Sequence, residues 1–386
     1  MLKDKIENAQ QLLKKEGLNG WLLYDFKGSN SLARSFLMLD DNIHLTRRFF
    51  YFISPDSNPI VIIHAVDASS IKGLYGEPKI YTSFDDLDRL LKELISGKIA
   101  MEYSPHGDLP YLSKVDGGTL EKIKSFGVIV VSSAPLLQHF GSILTDKQKL
   151  SHLKAAQALQ EAFEAVLDYI DKNLHQAITE YNASKFIANF LKERGFELDH
   201  DPIVAVNSHS AIAHYCPSKE TSAVIKPHDF ILIDLWCKSK EDSSVYADIC
   251  RVATLKRKPT LKEQEVFDVV LKAQKSALDY LKAHKDVTGY EVDKVARDVI
   301  EKAGFGPYFT HRLGHNIYTS CHGDGAHIDS FETKDIRKLL PKTCFSIEPG
   351  IYLEGEFGIR LETDVYIEEG GKINITAGLQ EHIIQV

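Results

Sequence analysis

The first third of the chain alternates short apolar runs with polar, charge-rich segments. The runs "WLLYDF" (21–26), "RFFYFIS" (48–54), "PIVIIHA" (59–65), "KIAMEY" (98–103) and "GVIVVSS" (127–133) are rich in β-branched and aromatic residues. Their length and composition predict strands. "FDDLDRLLKELI" (84–95) instead repeats its apolar residues at helical spacing, and the N-terminal "MLKDKIENAQQLLKKEGLNG" predicts an amphipathic helix broken by charges. The pattern predicts a small α/β domain over residues 1–142. It contains neither a G-x-G-x-x-G nor a P-loop, so no nucleotide cradle is expected.

From residue 143 the texture changes. Thr145 and Gln148 form a capping box ahead of a long helix through Leu153, Ala156, Phe163, Leu167 and Ile170. A second helix is predicted from about Thr179 to Arg194, stopped by Gly195. Strands are predicted near 203–215 ("IVAVNSH", "AIAHY") and over a hairpin at 231–252. The order then recurs. Thr260 and Glu263 cap a helix to about His284, Thr288 and Glu291 cap one ending at Gly304, and strand-like material follows at 309–318 and 343–367. Helix pair then strands, twice, is a repeat of architecture with a period of roughly 115 residues. The expected fold of 143–386 is α+β, with two pseudo-symmetric halves burying their sheets against each other and helices outside.

Each half carries a pair of acids inside apolar strand-like runs. "ILIDLWCKSKEDSSVYADIC" holds Asp234 and Asp248, and "CFSIEPGIYLEGEFGIRLETDVYI" holds Glu348 and Glu362. Both pairs are fourteen positions apart. A hairpin closing at the polar middle of each run, at Gly355 in the second, sets each pair side by side on one face. Buried like charges repel and each loses its hydration, at several kcal/mol per ion. Either these acids face solvent or basic partners, or they share cations.

"HRLGHNIYTSCHGDG" (311–325) adds His311, His315 and His322 between the two acid runs, with a Gly-His in an apolar strand. Four carboxylates with one imidazole make a hard, oxygen-rich donor set, too poor in nitrogen and sulfur for structural zinc. Four negative charges match two divalent cations of manganese, cobalt, iron or zinc, which can hold and activate a shared water.

Composition narrows the classes. Of 386 residues, 44% are hydrophobic and 26% charged, and the net charge is −8 without any basic run. That excludes the electrostatic footprint of a nucleic-acid or anionic-membrane partner. No apolar run reaches membrane-spanning length and no secretory signal pattern opens the chain, so a cytoplasmic location is expected. The five cysteines (Cys216, Cys237, Cys250, Cys321, Cys344) are odd in number and lack a C-x-x-C, which predicts free buried thiols.

The ordered series Asp234, Asp248, His315, Glu348, Glu362 resembles the metal set of the pita-bread metallopeptidases, with aminopeptidase P and prolidase the nearest likeness. "YADICR", "HRLGHNI", "SIEPGIY" and "GIRLETD" resemble their successive motifs. The likeness is strong over about 145–386. Over 1–140 it is weaker, to the creatinase-type N-terminal domain. It implies a curved antiparallel sheet and two divalent metal ions per chain, manganese first and cobalt, zinc or iron next. Asp234 would bind one ion, His315 and Glu348 the other, with Asp248 and Glu362 bridging. Glu348 would also carry the proton from the attacking water to the leaving nitrogen. His322 would contact the substrate carbonyl, and His214 and His311 would lie on the substrate side. Tyr352 and Arg360 would stand behind the ligands, Arg360 offsetting carboxylate charge. The implied reaction is hydrolysis of the Xaa-Pro bond at the N-terminus of a dipeptide or short peptide, with prolidase favoured over aminopeptidase P. A homodimer is implied by the resemblance alone.

Three features depart from that pattern: a longer turn over 238–244, Tyr318 where glycine is common, and "CHGDGAH" after the metal histidine. The final motif also reads Glu-Thr rather than Glu-Asp. None removes a ligand; they bear on substrate preference and on the rim or a subunit contact. The competing readings are a pita-bread relative with another C–N hydrolase activity and a binding module without catalysis. Loss of metal residues would mark either, and all five are present.

Overall fold

The computed structural model describes residues 2–40 and 42–386. The chain divides into two compact units, Met1–Phe140 and Gly141–Val386.

The first unit is built on a six-stranded mixed sheet. Its order is Glu77–Tyr81, Ile60–His64, Phe49–Ile53, Gly20–Asp25, Lys98–Met101, Ile129–Ser132. The five predicted runs are strands. The edge strand Glu77–Tyr81 escaped prediction because "EPKIY" is short and polar and contains proline, which edge strands tolerate. Alternate residues point to opposite faces, so two apolar layers form. Trp21, Leu23, Tyr51 and Ile53 lie in one, and Leu22, Tyr24, Phe50 and Phe52 in the other.

The second unit repeats a long helix and a short helix. Asp146–Asn173 and Glu180–Glu193 form the first pair, Leu261–Ala283 and Gly289–Lys302 the second. All four begin at a threonine with a closed capping box, on Thr145, Thr179, Thr260 and Thr288. The Thr179 box uses Asn182 in place of Glu or Gln, so the usual pattern does not find it. The first pair packs over Ile231, Ile233, Leu235 and Ile249. The second packs over Leu232, Val252, Ile347, Ile359 and Leu361.

Two antiparallel hairpins supply the sheet. Phe230–Ser239 pairs with Ala247–Thr254. Cys344–Ile347 pairs with Thr363–Ile367, and the hairpin continues as Gly350–Leu353 against Phe357–Arg360. It turns at Gly355, whose φ of 77° favours glycine. The two sheets meet edge to edge at a single bridge, Cys250 to Glu362.

Two expected strands are otherwise. "AIAHY" is not a strand: residues 207–211 form a 3-10 turn after the strand Ile203–Val206. Of 309–318, Asn316–Ile317 alone is a strand. The backbone of Leu313 and His315 still hydrogen-bonds to Glu348 and Ser346, so the segment lies along the second hairpin. The turn around 238–244 packs on the start of the Asp146–Asn173 helix, where Asp242, Ser243 and Ser244 face Thr145, Lys147 and Ser151. Cys237, Cys250, Cys321 and Cys344 are free and buried as expected, whereas Cys216 is free but exposed. No described helix is long and apolar enough to cross a membrane.

Candidate metal centre

Strand alternation dictates which way the acids point. In Phe230–Ser239 the odd positions 231, 233 and 235 pack under the first helix pair, so Asp234 points away from it. Asp234 lies opposite Cys250, and Asp248 lies opposite Trp236. The two aspartates are therefore diagonal neighbours, not directly opposed as the spacing predicts. The connector 240–246 sets a register offset by two residues, and an even offset keeps both acids on one face. Glu348 and Glu362 do face each other, because Ile347 pairs with Thr363 and Gly350 with Arg360 on either side.

Surrounding residues fix these strands from outside. Gln274, buried in the Leu261–Ala283 helix, donates to the carbonyls of Ile347 at 3.1 Å and Leu361 at 2.8 Å, one residue short of each glutamate. Asp293 in the next helix accepts from the Leu313 N–H at 3.1 Å, and Arg297 beside it donates to the His311 carbonyl at 2.7 Å. Gly314 has to be glycine, since a Cβ there would stand 2.0 Å from the Ser346 carbonyl oxygen.

The result is a buried cluster. Asp234, Asp248, His315 and Glu362 are 7%, 6%, 2% and 2% exposed. His315 Nε2 stands 3.7 Å from Asp248, 3.5 Å from Glu348 and 4.0 Å from Glu362. These distances are too long for hydrogen bonds. They suit atoms sharing a cation, since ligands at ~2.0–2.2 Å from one ion stand roughly 3–4 Å from each other. His315 Nδ1 faces the Asn316 carbonyl at 3.3 Å, which places the ring proton there and leaves Nε2 a free lone pair. Ser346 Oγ accepts from the His315 N–H at 3.0 Å and donates to Glu348 Oε1 at 3.1 Å, tying two candidate ligands together.

Three carboxylate oxygens in the cluster, Asp234 Oδ1, Asp248 Oδ1 and Glu362 Oε1, are buried without a hydrogen-bond donor. Such orphans are costly unless a cation or proton meets them. Burial, and then the nearby Asp234, hold the Asp248 carboxyl well above its ordinary range. Burial and then Asp248 do the same to Glu362, and burial pushes Glu348 up to about 7. Burial and the neighbouring His322 push His315 well below its ordinary value, toward the neutral ligand form. Donor type, spacing and orphaned oxygens all fit divalent cations. Asp234, Asp248 and Glu362 can converge on one, and His315, Glu348 and Glu362 on another.

Arg360 is the principal countercharge. It donates to Asp234 Oδ2 at 2.5 Å, to Tyr352 Oη at 2.8 Å and to the Ala213 carbonyl at 3.2 Å. His311 Nε2 lies 2.8 Å from the same Tyr352 hydroxyl, and its Nδ1 lies 2.7 Å from the Arg312 carbonyl. Burial, reinforced by Arg360, lowers His311 to about 3. A neutral ring with its proton on Nδ1 then accepts from Tyr352, so both His311 nitrogens are engaged. The His322 ring lies 4.2 Å from the His315 ring, tilted by 43°, and His214 stands exposed beside Ala213.

The four acids, the histidines at 214, 311, 315 and 322 and Arg360 line a cavity of ≈ 260 Å³, the scale of a small ligand. It also contains Asp199, His200, Trp236, Arg312, Cys321 and Glu332, which no sequence motif singled out. Trp236 Nε1 donates to Asp199 at 2.5 Å, and the Arg312 N–H donates to Glu332 at 2.8 Å. Cys321 donates to Asp248 Oδ2 at 3.1 Å.

Known proteins resemble this chain in sequence and in fold. The sequence profile of metallopeptidase family M24 matches residues 151–369. An uncharacterised peptidase of Staphylococcus saprophyticus is 31% identical over 267 residues, which span 66% of this chain and 69% of that one. An Xaa-Pro dipeptidase from Bacillus anthracis has the same fold, with a TM-score of 0.65 and 24% identity over 100% of both chains. An X-Pro aminopeptidase from Thermotoga maritima has a TM-score of 0.61 and 26% identity, covering 98% of this chain and 100% of its own. With its pita-bread second unit and a profile match over more than half its length, the chain belongs to metallopeptidase family M24.

Proposed function

We propose that this chain hydrolyses the Xaa-Pro bond at the N-terminus of dipeptides and short peptides, using two divalent metal ions, with dipeptides preferred. The observation that carries this reading is the set of orphaned carboxylate oxygens on Asp234, Asp248 and Glu362, converging beside His315 in a peptide-sized cavity. The solved structures that share the fold include an Xaa-Pro dipeptidase and an X-Pro aminopeptidase, in line with the substrate.

Asp234 would hold one cation, His315 and Glu348 would hold the other, and Asp248 and Glu362 would serve both. When bound, the pair supplies a water acidified to near neutrality and a Lewis acid for the scissile carbonyl. Glu348 is the least buried of the four carboxylates: its side chain is 15% exposed, against 10%, 8% and 2% for Asp234, Asp248 and Glu362. It meets the substrate, takes the proton of the attacking water and returns it to the leaving nitrogen. His322 donates to the carbonyl oxygen as it gains charge. His214 closes the proline side. Arg360 holds Asp234 in place and, through Tyr352, orients His311. A proline amide lacks an N–H, so its recognition rests on ring shape rather than on hydrogen bonding. The cavity lining carries both signs of charge, with Asp199 and Glu332 against Arg312. That suits a peptide short enough to bring its amine and its carboxylate together, which supports the dipeptide preference. The first unit takes the place of a creatinase-type N-terminal domain.

The test offers Ala-Pro, Ala-Pro-Ala and Ala-Ala to the full chain with manganese. Release of alanine from Ala-Pro, with slower release from Ala-Pro-Ala and none from Ala-Ala, is expected. No release from either proline peptide would overturn the reading. Faster cleavage of the tripeptide would reassign the chain to the aminopeptidase side.

A further inference from the structure

Cys321 stands inside the acid cluster. Its sulfur, an Asp248 oxygen and a His315 nitrogen all lie within 4.8 Å of one another. Behind it, Val245, Tyr246, Ile317 and Cys344 form an apolar wall that leaves the thiol facing the carboxylates. Its one hydrogen bond goes to Asp248 Oδ2. A thiol in such a wall could be packing alone, but the adjacent oxygens argue otherwise. Asp248 Oδ1 and Glu362 Oε1 are buried and unpartnered, on residues 6% and 2% exposed.

We propose that Cys321 is itself a metal ligand, binding one cation as a thiolate alongside Asp248 and His315. This rests on the metal-dependent reading above and adds to it a ligand outside the five-residue set. On binding, the S–H bond breaks, the proton passes to water and a metal–sulfur bond forms. The two cation positions then differ in kind. One is all oxygen, from Asp234, Asp248 and Glu362; the other combines oxygen, nitrogen and sulfur. Sulfur favours zinc, cobalt and iron over manganese, so the second position selects a softer ion than the first.

The test uses the full chain stripped by a chelator and titrated with cobalt, with bound metal measured by elemental analysis. Cobalt bound through sulfur gives a near-ultraviolet charge-transfer band. The wild type is expected to show it. Cys321→Ser and Cys321→Ala should lose the band at equal cobalt content while keeping the visible cobalt bands. In competition dialysis, the preference for zinc over manganese should fall by roughly tenfold in Cys321→Ala. Cobalt bound without the band, or a band that persists in both variants, overturns the assignment of Cys321 and leaves the metal-dependent reading standing. A wild type that binds no cobalt, zinc or manganese overturns both.

Discussion

Glu362 donates its backbone N–H to the Cys250 carbonyl at 3.2 Å, and this one antiparallel bridge joins the sheets of the two halves. The Glu362 side chain beside it lies within the spacing of one ion from Asp234 and Asp248 on the other half. The seam between the halves is thus also where the like charges crowd.

Cation binding should therefore tighten the seam. A ligand present at a hundred times its Kd adds about 2.7 kcal/mol to stability. Thermal scans of the wild type are expected to show a higher midpoint with manganese or zinc than with chelator. Glu362→Gln removes one buried charge, so in chelator it should melt at or above the wild type, while gaining little from the cation. Equal cation responses in the two proteins would refute the coupling.

Glu180 is the support for the loop that carries His214. Fully buried at the start of its helix, it accepts from the Val206 N–H at 2.7 Å, the Ala223 N–H at 2.8 Å and the Tyr215 hydroxyl at 2.6 Å, with His209 at 2.9 Å. Glu180→Ala would orphan these donors and should lower stability by roughly 3 kcal/mol or more. Urea unfolding measures that loss. Kinetics on Ala-Pro should show a larger rise in KM than fall in kcat, because the loop is displaced and the acid cluster is not.

His152 makes the second unit sensitive to acid. It is completely buried, with Nδ1 2.7 Å from the Tyr246 carbonyl and Nε2 2.7 Å from Thr376 Oγ1. Burial lowers its pKa from 6.5 to about 4. A depressed folded-state value means that unfolding takes up a proton. The contribution of neutral His152 is complete above pH 6.5 and is lost as pH falls toward 4, by about 3 kcal/mol in all. Midpoints measured between pH 7 and 4 should fall less steeply in His152→Gln than in the wild type. Parallel slopes would contradict this.

Gly314→Ala should damage the site more than the fold. The added methyl meets the Ser346 carbonyl oxygen, so the His315 segment must shift away from the strand that carries Glu348. At least a tenfold loss of peptidase activity and of metal content is expected, about 1.4 kcal/mol or more per site. Far-ultraviolet circular dichroism should stay close to wild type.

What the sequence made legible follows from periodicity and local chemistry. Capping threonines, apolar strand runs and acids set fourteen apart are signals within one or two elements; they bring out the two acid pairs, and the family resemblance adds His315 to them as one set. The diagonal offset of Asp234 and Asp248 was not legible, because register depends on how the 240–246 connector folds. By sequence Cys321 is one more buried thiol, since nothing local distinguishes it. Its position follows from the path of 318–325 around Asn316, whose side-chain oxygen accepts from the Gly325 N–H at 2.9 Å. Glu180 escaped notice for a similar reason: its partners at 206, 209, 215 and 223 are gathered by the fold.

The wiring of Arg360 has a consequence for biosynthesis. Its partner Asp234 lies 126 positions earlier in the chain, so a ribosome delivers the first-half acids long before their countercharge and the other half of the clamp. Contacts at such separation close late in folding. Until then the Asp248 strand lacks its later neighbours, the Glu362 bridge and Ile384–Gln385, and the acid cluster lacks its second half. Metal retention is thus expected of the finished polypeptide, and a chain released short of residue 362 is expected to retain less than a complete one.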